Sequence, residues 1–267
     1  MKYYILLFLA LSIIISCSNT SEPKDVEEIN LLISAKAAID DDLYRIWFQL
    51  DLTNILIKIS QLKEDSIRSY YKSFLKNFPL VVEISYVDDK GILAYVEPEE
   101  FRHIEGSDIS NQEHITQAFQ TKDKSLSKIF MLLEGYYGVI MCNPILLNNT
   151  VYGITSVVFK PEDNIKHLTD PIISGKVDDF FVMEENGAMI YDTDVSQIGR
   201  NVFTDELYQG FPEMIATAHT VVSNNEGKTY YSFWDKTKQK TVKKAVWWKT
   251  SDYYGNKWKF CIVKESD

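Results

Sequence analysis

Residues 26–78 contain no glycine or proline, and apolar positions recur at steps of three, four and seven: Leu32, Ala35, Ile39, Leu43, Ile46, Leu50, Ile57 and Leu62. This is the period of an amphipathic helix, and Pro79 ends it. A helix of ~40–50 residues is ~60–75 Å long at ~1.5 Å per residue, longer than one small domain is wide. The pattern therefore predicts a helix that spans more than one domain or breaks once. From Leu80 the pattern shortens to apolar runs at 81–87, 92–96, 126–133, 137–143 and 151–159, which predict five strands. A polar stretch at 107–121, carrying Ile109, Ile115, Ala118 and Phe119, predicts a helix between the second and third of them. Pro161 and Pro171 mark a linker.

A second block repeats this order. Runs at 180–183 and 188–191 predict paired strands, 204–219 a helix, and 230–234, 242–250 and 258–264 three more strands. The repeat is visible in the letters: Val87 to Tyr95 aligns with Met183 to Tyr191 at a constant offset of 96, placing Gly91 on Gly187. Each glycine sits where a tight hairpin needs positive φ, behind an acidic pair that keeps the turn solvated. A polar loop with a further glycine follows each hairpin, Gly106 and Gly199. Strand, turn, strand, helix and three strands, twice over, predict a duplicated α+β unit.

The chain opens on Lys2, Tyr3, Tyr4 and an apolar run at 5–15, then Ser16, Cys17 and a polar stretch. A membrane-crossing helix needs ~20 apolar residues, so the run reads as the core of a signal peptide. A small residue ahead of a cysteine, with Ile14 and Ile15 behind it, resembles the lipobox of prokaryotic lipoproteins. That resemblance implies lipid attachment at Cys17 and a chain anchored to a membrane of the cell envelope, facing outside the cytoplasm. The division expected is a leader at 1–16, a tether at 17–25, the long helix at 26–78, and two domains at 79–165 and 166–267.

The run Phe181, Val182, Met183, Glu184, Glu185, Asn186, Gly187, Ala188, Met189, Ile190, Tyr191, followed by Ile198, Gly199, Arg200, Asn201 and Val202, resembles the double Cache sensor modules, over about residues 25–264. The resemblance implies a long N-terminal helix beside two stacked PAS-like domains, each an antiparallel sheet of about five strands with flanking helices. It implies that 79–165 is the membrane-distal, ligand-binding domain and 166–267 the membrane-proximal one. By position in that family, the pocket falls among Asp108, Gln112 and His114 on one side and Phe130, Met131, Tyr137, Met141 and Asn143 on the other. Amino-acid-binding members carry a charged clamp whose positions, aligned by Ala118, fall here on Gln112, His114, Ile115 and near Val158. The clamp is absent, so the expected ligand is a small metabolite of lower charge, held by aromatic contacts and a few hydrogen bonds.

Charge and chemistry narrow the function further. A formal net charge of -10 repels phosphate backbones, and no basic stripe is interleaved with aromatics, so nucleic acid is not an expected partner. The lysines of 236–249 read as a solvated hairpin. Cys142 and Cys261 lie in apolar strand-like runs and read as buried free thiols, a bridge between them being the alternative. No His-Glu-x-x-His, Gly-x-Ser-x-Gly, phosphate-cradling loop or Cys/His cluster occurs, which predicts no enzyme, no cofactor and no metal. His103, His114, His167 and His219 are scattered, and only His114 falls on the pocket-side helix. Asp192 and Asp194, with Asp178 or Asp179, lack the spacing of a calcium loop and read as a solvated turn. The aromatics of the second block fill a small core or line a second pocket. The function expected is a lipid-anchored extracytoplasmic small-molecule sensor. With no second apolar span before Asp267, it acts through a separate membrane signalling or transport protein. The alternatives are a structural or partner-binding surface lipoprotein and an extracellular enzyme.

Overall fold

The computed structural model describes residues 25–132, 135–235 and 238–266; the leader, Cys17 and the tether up to Lys24 lie outside the described residues. The long helical pattern breaks once, into α1 (Val26–Ile59) and α2 (Glu64–Asn77). Gln61 and Leu62 adopt the left-handed conformation at φ 57 and 60, and the Leu62 N–H reaches back to the Ile57 carbonyl at 3.1 Å. Left-handed backbone costs roughly 1–2 kcal/mol per non-glycine residue. Burial of Ile57, Ile67, Tyr71 and Phe74 on the two sides of the break offsets that cost. Even so shortened, the 34 residues of α1 span ~51 Å at ~1.5 Å per residue and run along both sheets.

The first sheet has the order β2–β1–β6–β5–β3, all antiparallel: β1 (Val81–Asp88), β2 (Leu93–Glu97), β3 (Ser125–Leu126), β5 (Tyr137–Leu147) and β6 (Thr150–Phe159). A short β4 (Phe130–Met131) pairs with β5 as well. α3 (Glu113–Thr121) covers its outer face. Where the sequence predicts one strand at 126–133, the chain makes two short pieces, because the Ser127 hydroxyl takes the Ile140 N–H that a continuous ladder would use. The expected linker folds as α4 (Pro161–Ile173). Pro161 stands in the first turn, where a missing N–H removes nothing. Pro171 comes in the last turn, so it interrupts the ladder only at the helix end.

The second sheet repeats the topology as β8–β7–β11–β10–β9, with β7 (Asp179–Glu184), β8 (Met189–Asp192), β9 (Glu226–Asp235), β10 (Lys240–Tyr253) and β11 (Asn256–Glu265), and with α5 (Pro212–Ser223) on its outer face. The duplication extends to single hydrogen bonds. Gly91 and Gly187 have φ 85 and 87; their carbonyls accept the N–H of Ile109 and Val202, at 2.9 Å each. The N–H groups of Gly106 and Gly199 reach the carbonyls of Leu93 and Met189, at 2.8 Å each.

Three apolar clusters follow from this layering. One is continuous along α1 and takes the inner faces of both sheets, including Val139, Met141 and Ile145 of β5 and Phe180, Trp247 and Phe260 of the second sheet. The other two lie on the outer faces, under α3 and under α5. Polar pins fix α1 lengthwise. Asp40 accepts Ser251 Oγ at 2.7 Å and the Tyr253 hydroxyl, while Asn54 donates to the Asn143 carbonyl at 3.1 Å and accepts Thr155 Oγ1 at 2.6 Å. Cys142 and Cys261 are buried free thiols in different outer-face clusters.

Candidate functional site

The outer face of the first sheet, under α3, holds a partly open cavity of about 300 Å³. β1 contributes Glu83 and Ser85, β6 contributes Ser156 and Val158, α3 and its leading turn contribute His114 and Gln112, and the β4 segment closes the side with Phe130, Met131 and Leu132. Alternation puts Glu83 and Ser85 on one face, and the antiparallel register sets Ser156 opposite Ser85, where their hydroxyls bond at 2.8 Å. Glu83, Ser85 and Ser156 are all buried. Among the described residues no lysine or arginine lines the cavity. A wider recess of about 660 Å³ adjoins it, sharing Gln112, His114 and Phe130 and reaching Gly255 and Asn256 in the β10–β11 turn.

Among the residues that line this cavity, His114 carries a buried polar atom that the fold leaves unused. It is 4% exposed, its ring lies 5.7 Å from that of Phe130, and its Nε2 has no hydrogen-bond partner. Burial pushes its pKa down to about 4, so the imidazole is neutral at pH 7. An orphaned buried nitrogen costs stability unless something meets it.

Of the residues singled out by position, Gln112, His114, Phe130 and Met131 meet at this cavity. Asp108 does not: it is exposed, its Oδ1 accepts the Ser110 N–H at 2.9 Å, and this turn pulls its pKa down. Asn201 makes the same contact with the Phe203 N–H in the second unit, so Asp108 serves the hairpin loop. Met141 and Asn143 face the other way. They alternate with Ile140 and Cys142 along β5, and the odd-numbered residues pack on α1, where Asn143 donates to Asp51 Oδ1 at 2.9 Å. Both faces of β5 are buried, so the letters alone did not reveal the parity. Tyr137 lies at the junction of the units, its ring against Gly199. The missed residues are Glu83, Ser85 and Ser156. The repeat offset of 96 pointed to Glu83, since it pairs that acid with Asp179 at the same place in the second unit.

The outer face of the second sheet has its own cavity, of about 510 Å³, under α5. Among the described residues no group of three or more His, Cys, Asp or Glu is placed to hold a metal, and no helix is long and apolar enough to cross a membrane.

Two stacked units of this topology, braced by one long helix, match known folds. The periplasmic sensory domain of the Campylobacter jejuni chemoreceptor Tlp1 superposes with a TM-score of 0.61 at 14% identity, over 90% of this chain and 95% of that one. This is the double Cache fold. The ligand-binding domain of the Pseudomonas aeruginosa amino acid chemoreceptor PctB, solved with L-Arg, shares it with a TM-score of 0.66 at 10% identity, over 91% and 96% of the two chains. An extracellular ligand binding receptor from Desulfohalobium retbaense gives a TM-score of 0.72 at 20% identity over 88% of this chain, which spans only 39% of that receptor. In sequence, residues 52–161, which hold the first cavity of the double Cache fold, match the family model described as HK/GC/Chemotaxis protein-like, sensor domain. No curated protein matches the chain.

Proposed function

We propose that the protein is a lipid-anchored extracytoplasmic receptor of the double Cache kind, which captures a small metabolite under α3 and acts through a separate membrane protein. The observation that carries the reading is the unpartnered, buried Nε2 of His114 at the wall of this cavity. The cavity lies at the small end of the ~300–1,000 Å³ typical of ligand pockets. Its chemistry favours a molecule of low charge: with no lysine or arginine in the lining an anion has no counter-ion, while His114, Gln112 and Ser156 offer hydrogen bonds and Phe130 a ring face. The matched sensor-domain model and the ligand-binding domains that share this fold support a role in recognition over one in catalysis. Lipid attachment at Cys17 rests on the leader and its lipobox-like end.

The test is a thermal-shift screen of residues 18–267 against small metabolites, because a ligand that binds only the native state raises the melting temperature by mass action. The expected result is a stabilising compound whose effect disappears in His114→Ala and Gln112→Ala. A stabilising compound that ignores both substitutions places the ligand elsewhere. Labelling with radioactive palmitate, lost in Cys17→Ser, tests the anchor.

A further inference from the structure

We propose that the second sheet carries an independent ligand site, selective for an organic ammonium ion with a short apolar body. The site is the cavity under α5, and it goes beyond the sensor reading of the first cavity. By strand register it is the same place in the duplicated unit. Glu83 lies opposite Val158 and Ser85 opposite Ser156 in the first sheet; Asp179 lies opposite Val263 and Phe181 opposite Cys261 in the second. An acid therefore stands at the same inward position of the first strand in both units.

The surroundings of that acid differ. Most of the second cavity is apolar and aromatic, with Phe181, Met189, Phe211, Met214, Tyr231 and Phe233 in its walls. The rings of Tyr231 and Phe233 stack at 6.0 Å, and Phe211 stands edge-on to Phe233 at 6.5 Å. A second acid, Asp192, sits beside Asp179, because Asp192 pairs with Phe181 across β7 and β8 on the same face. Asp192 is 7% exposed. One of its oxygens accepts the Asp194 N–H at 2.8 Å.

Among the described residues no lysine or arginine forms an ion pair with either carboxylate. Lys244 lines the cavity and favours the charged form of Asp179 from a distance, but its Nζ bridges to Asp178 at 3.1 Å; Asp179 accepts the Thr193 hydroxyl and a backbone hydrogen bond at Phe180. The remaining charged and titratable groups nearby are Asp194, whose oxygens are held by Ser196 and Gln197, and the phenols of Tyr208 and Tyr231. Desolvation raises the pKa of both Asp179 and Asp192; the Asp179 carboxylate adds to the rise at Asp192, and Asp194 to the rise at Asp179. An ammonium group between the two carboxylates relieves the repulsion, while its apolar body replaces water against the aromatic wall, where ring faces attract a cation as well. A carboxylate ligand would add a third like charge. A neutral alcohol of the same shape would leave the charges uncompensated.

The experiment is isothermal titration calorimetry of the full-length chain at pH 8 with 2-phenylethylammonium, and with 2-phenylethanol as the neutral comparator. Saturable one-to-one binding is expected for the ammonium, at least about tenfold tighter than for the alcohol, equivalent to ~1.4 kcal/mol. Asp192→Asn and Asp179→Asn should each abolish that preference, and His114→Ala, in the other cavity, should leave it intact. The assignment is overturned if the ammonium does not bind, if the alcohol binds equally well, or if His114→Ala removes binding that Asp192→Asn retains. Loss of the first-cavity reading would not alter these results, because the site itself is built from second-sheet residues alone and His114→Ala serves only as the control. Circular dichroism melts of the Asn variants confirm folding.

Discussion

Glu184, the last residue of β7 in the second sheet, accepts the Ile129 N–H of the first unit at 2.9 Å, immediately before the Phe130 that walls the first cavity. The same carboxylate takes Asn186 Nδ2 at 3.1 Å and Asn256 Nδ2 at 3.3 Å, and Asn256 also donates to the Ser127 carbonyl at 2.8 Å. The short segment that closes the cavity is thus held from behind by the other sheet. Glu184 is 2% exposed, and burial raises its pKa. This backbone contact and its neighbours join the wall segment of the first cavity to the second unit.

Glu184→Ala should therefore act at a distance. It leaves a buried N–H without an acceptor, which costs ~1–3 kcal/mol, and it frees the Phe130 segment. The expected outcome is a lower urea midpoint together with weaker binding of any first-cavity ligand, although Glu184 lines neither cavity. Calorimetry on the stable, folded variant separates the two effects. Unchanged affinity would show that the segment is positioned by the first sheet alone.

Much of this arrangement was legible in the letters, and the limits have physical causes. The offset of 96 between Gly91 and Gly187 reports a real duplication because both hairpins need the same positive φ, and only glycine adopts it freely. The helix break at Gln61 and Leu62 was not locatable, since neither residue is a recognised breaker and the left-handed turn is stabilised by packing on either side. Pro161 and Pro171 looked like punctuation, yet both stand where a helix tolerates proline. Gln112 and His114, expected on the pocket side by position along the chain, do line the cavity under α3. Met141 and Asn143 were placed on the ligand side because a strand buried on both faces carries no polar alternation to fix which side is which. The neighbours of Asp192 in sequence suggest a solvated turn because Thr193 and Asp194 are polar, whereas the fold buries its side chain at the wall of the second cavity.

Acid should destabilise the wild-type protein partly through His114. Its pKa is about 4 in the folded state, below the ordinary value of 6.5, so between those values the unfolded chain binds a proton that the native one does not. Stability from this group is complete above about pH 6.5 and is lost as pH falls toward 4. In His114→Gln, urea midpoints measured from pH 7.5 to 4 should decline less steeply than in the wild type. Parallel profiles would mean that His114 is protonated in the native state.

The Tyr137 ring packs so closely on Gly199 that a Cβ there would stand 2.2 Å from the Tyr137 Cζ, and Gly199 has φ 79. Gly199→Ala thus meets two penalties, roughly 1–2 kcal/mol of left-handed backbone and a clash of about 1–3 kcal/mol. Adding Tyr137→Ala should remove only the clash. Denaturant unfolding of the two single variants and the double variant should show a favourable coupling, with the double variant more stable than the sum of the singles predicts. Strict additivity would place the ring away from Gly199 in solution.

The opposite pH dependence belongs to Asp192. Its pKa is pushed up to about 8 by burial first and by Asp179 second. Between the ordinary carboxylate value of 3.8 and that figure the native state binds a proton that the unfolded chain has released, so the native state loses stability as pH rises through this window. Below it the penalty is absent, and above it the full cost of a buried, unpaired charge is present. Asp192→Asn carries no such charge. Melting temperatures of variant and wild type should coincide near pH 4 and separate progressively toward pH 8.5, with the variant higher. A cation that fills the cavity compensates the same charge, so 2-phenylethylammonium should raise the wild-type curve at pH 8.5 and leave the variant's where it was. A variant no more stable than the wild type at pH 8.5 would mean that water or Lys244 already solvates the carboxylate, and with it the reason for an ammonium ligand would be gone.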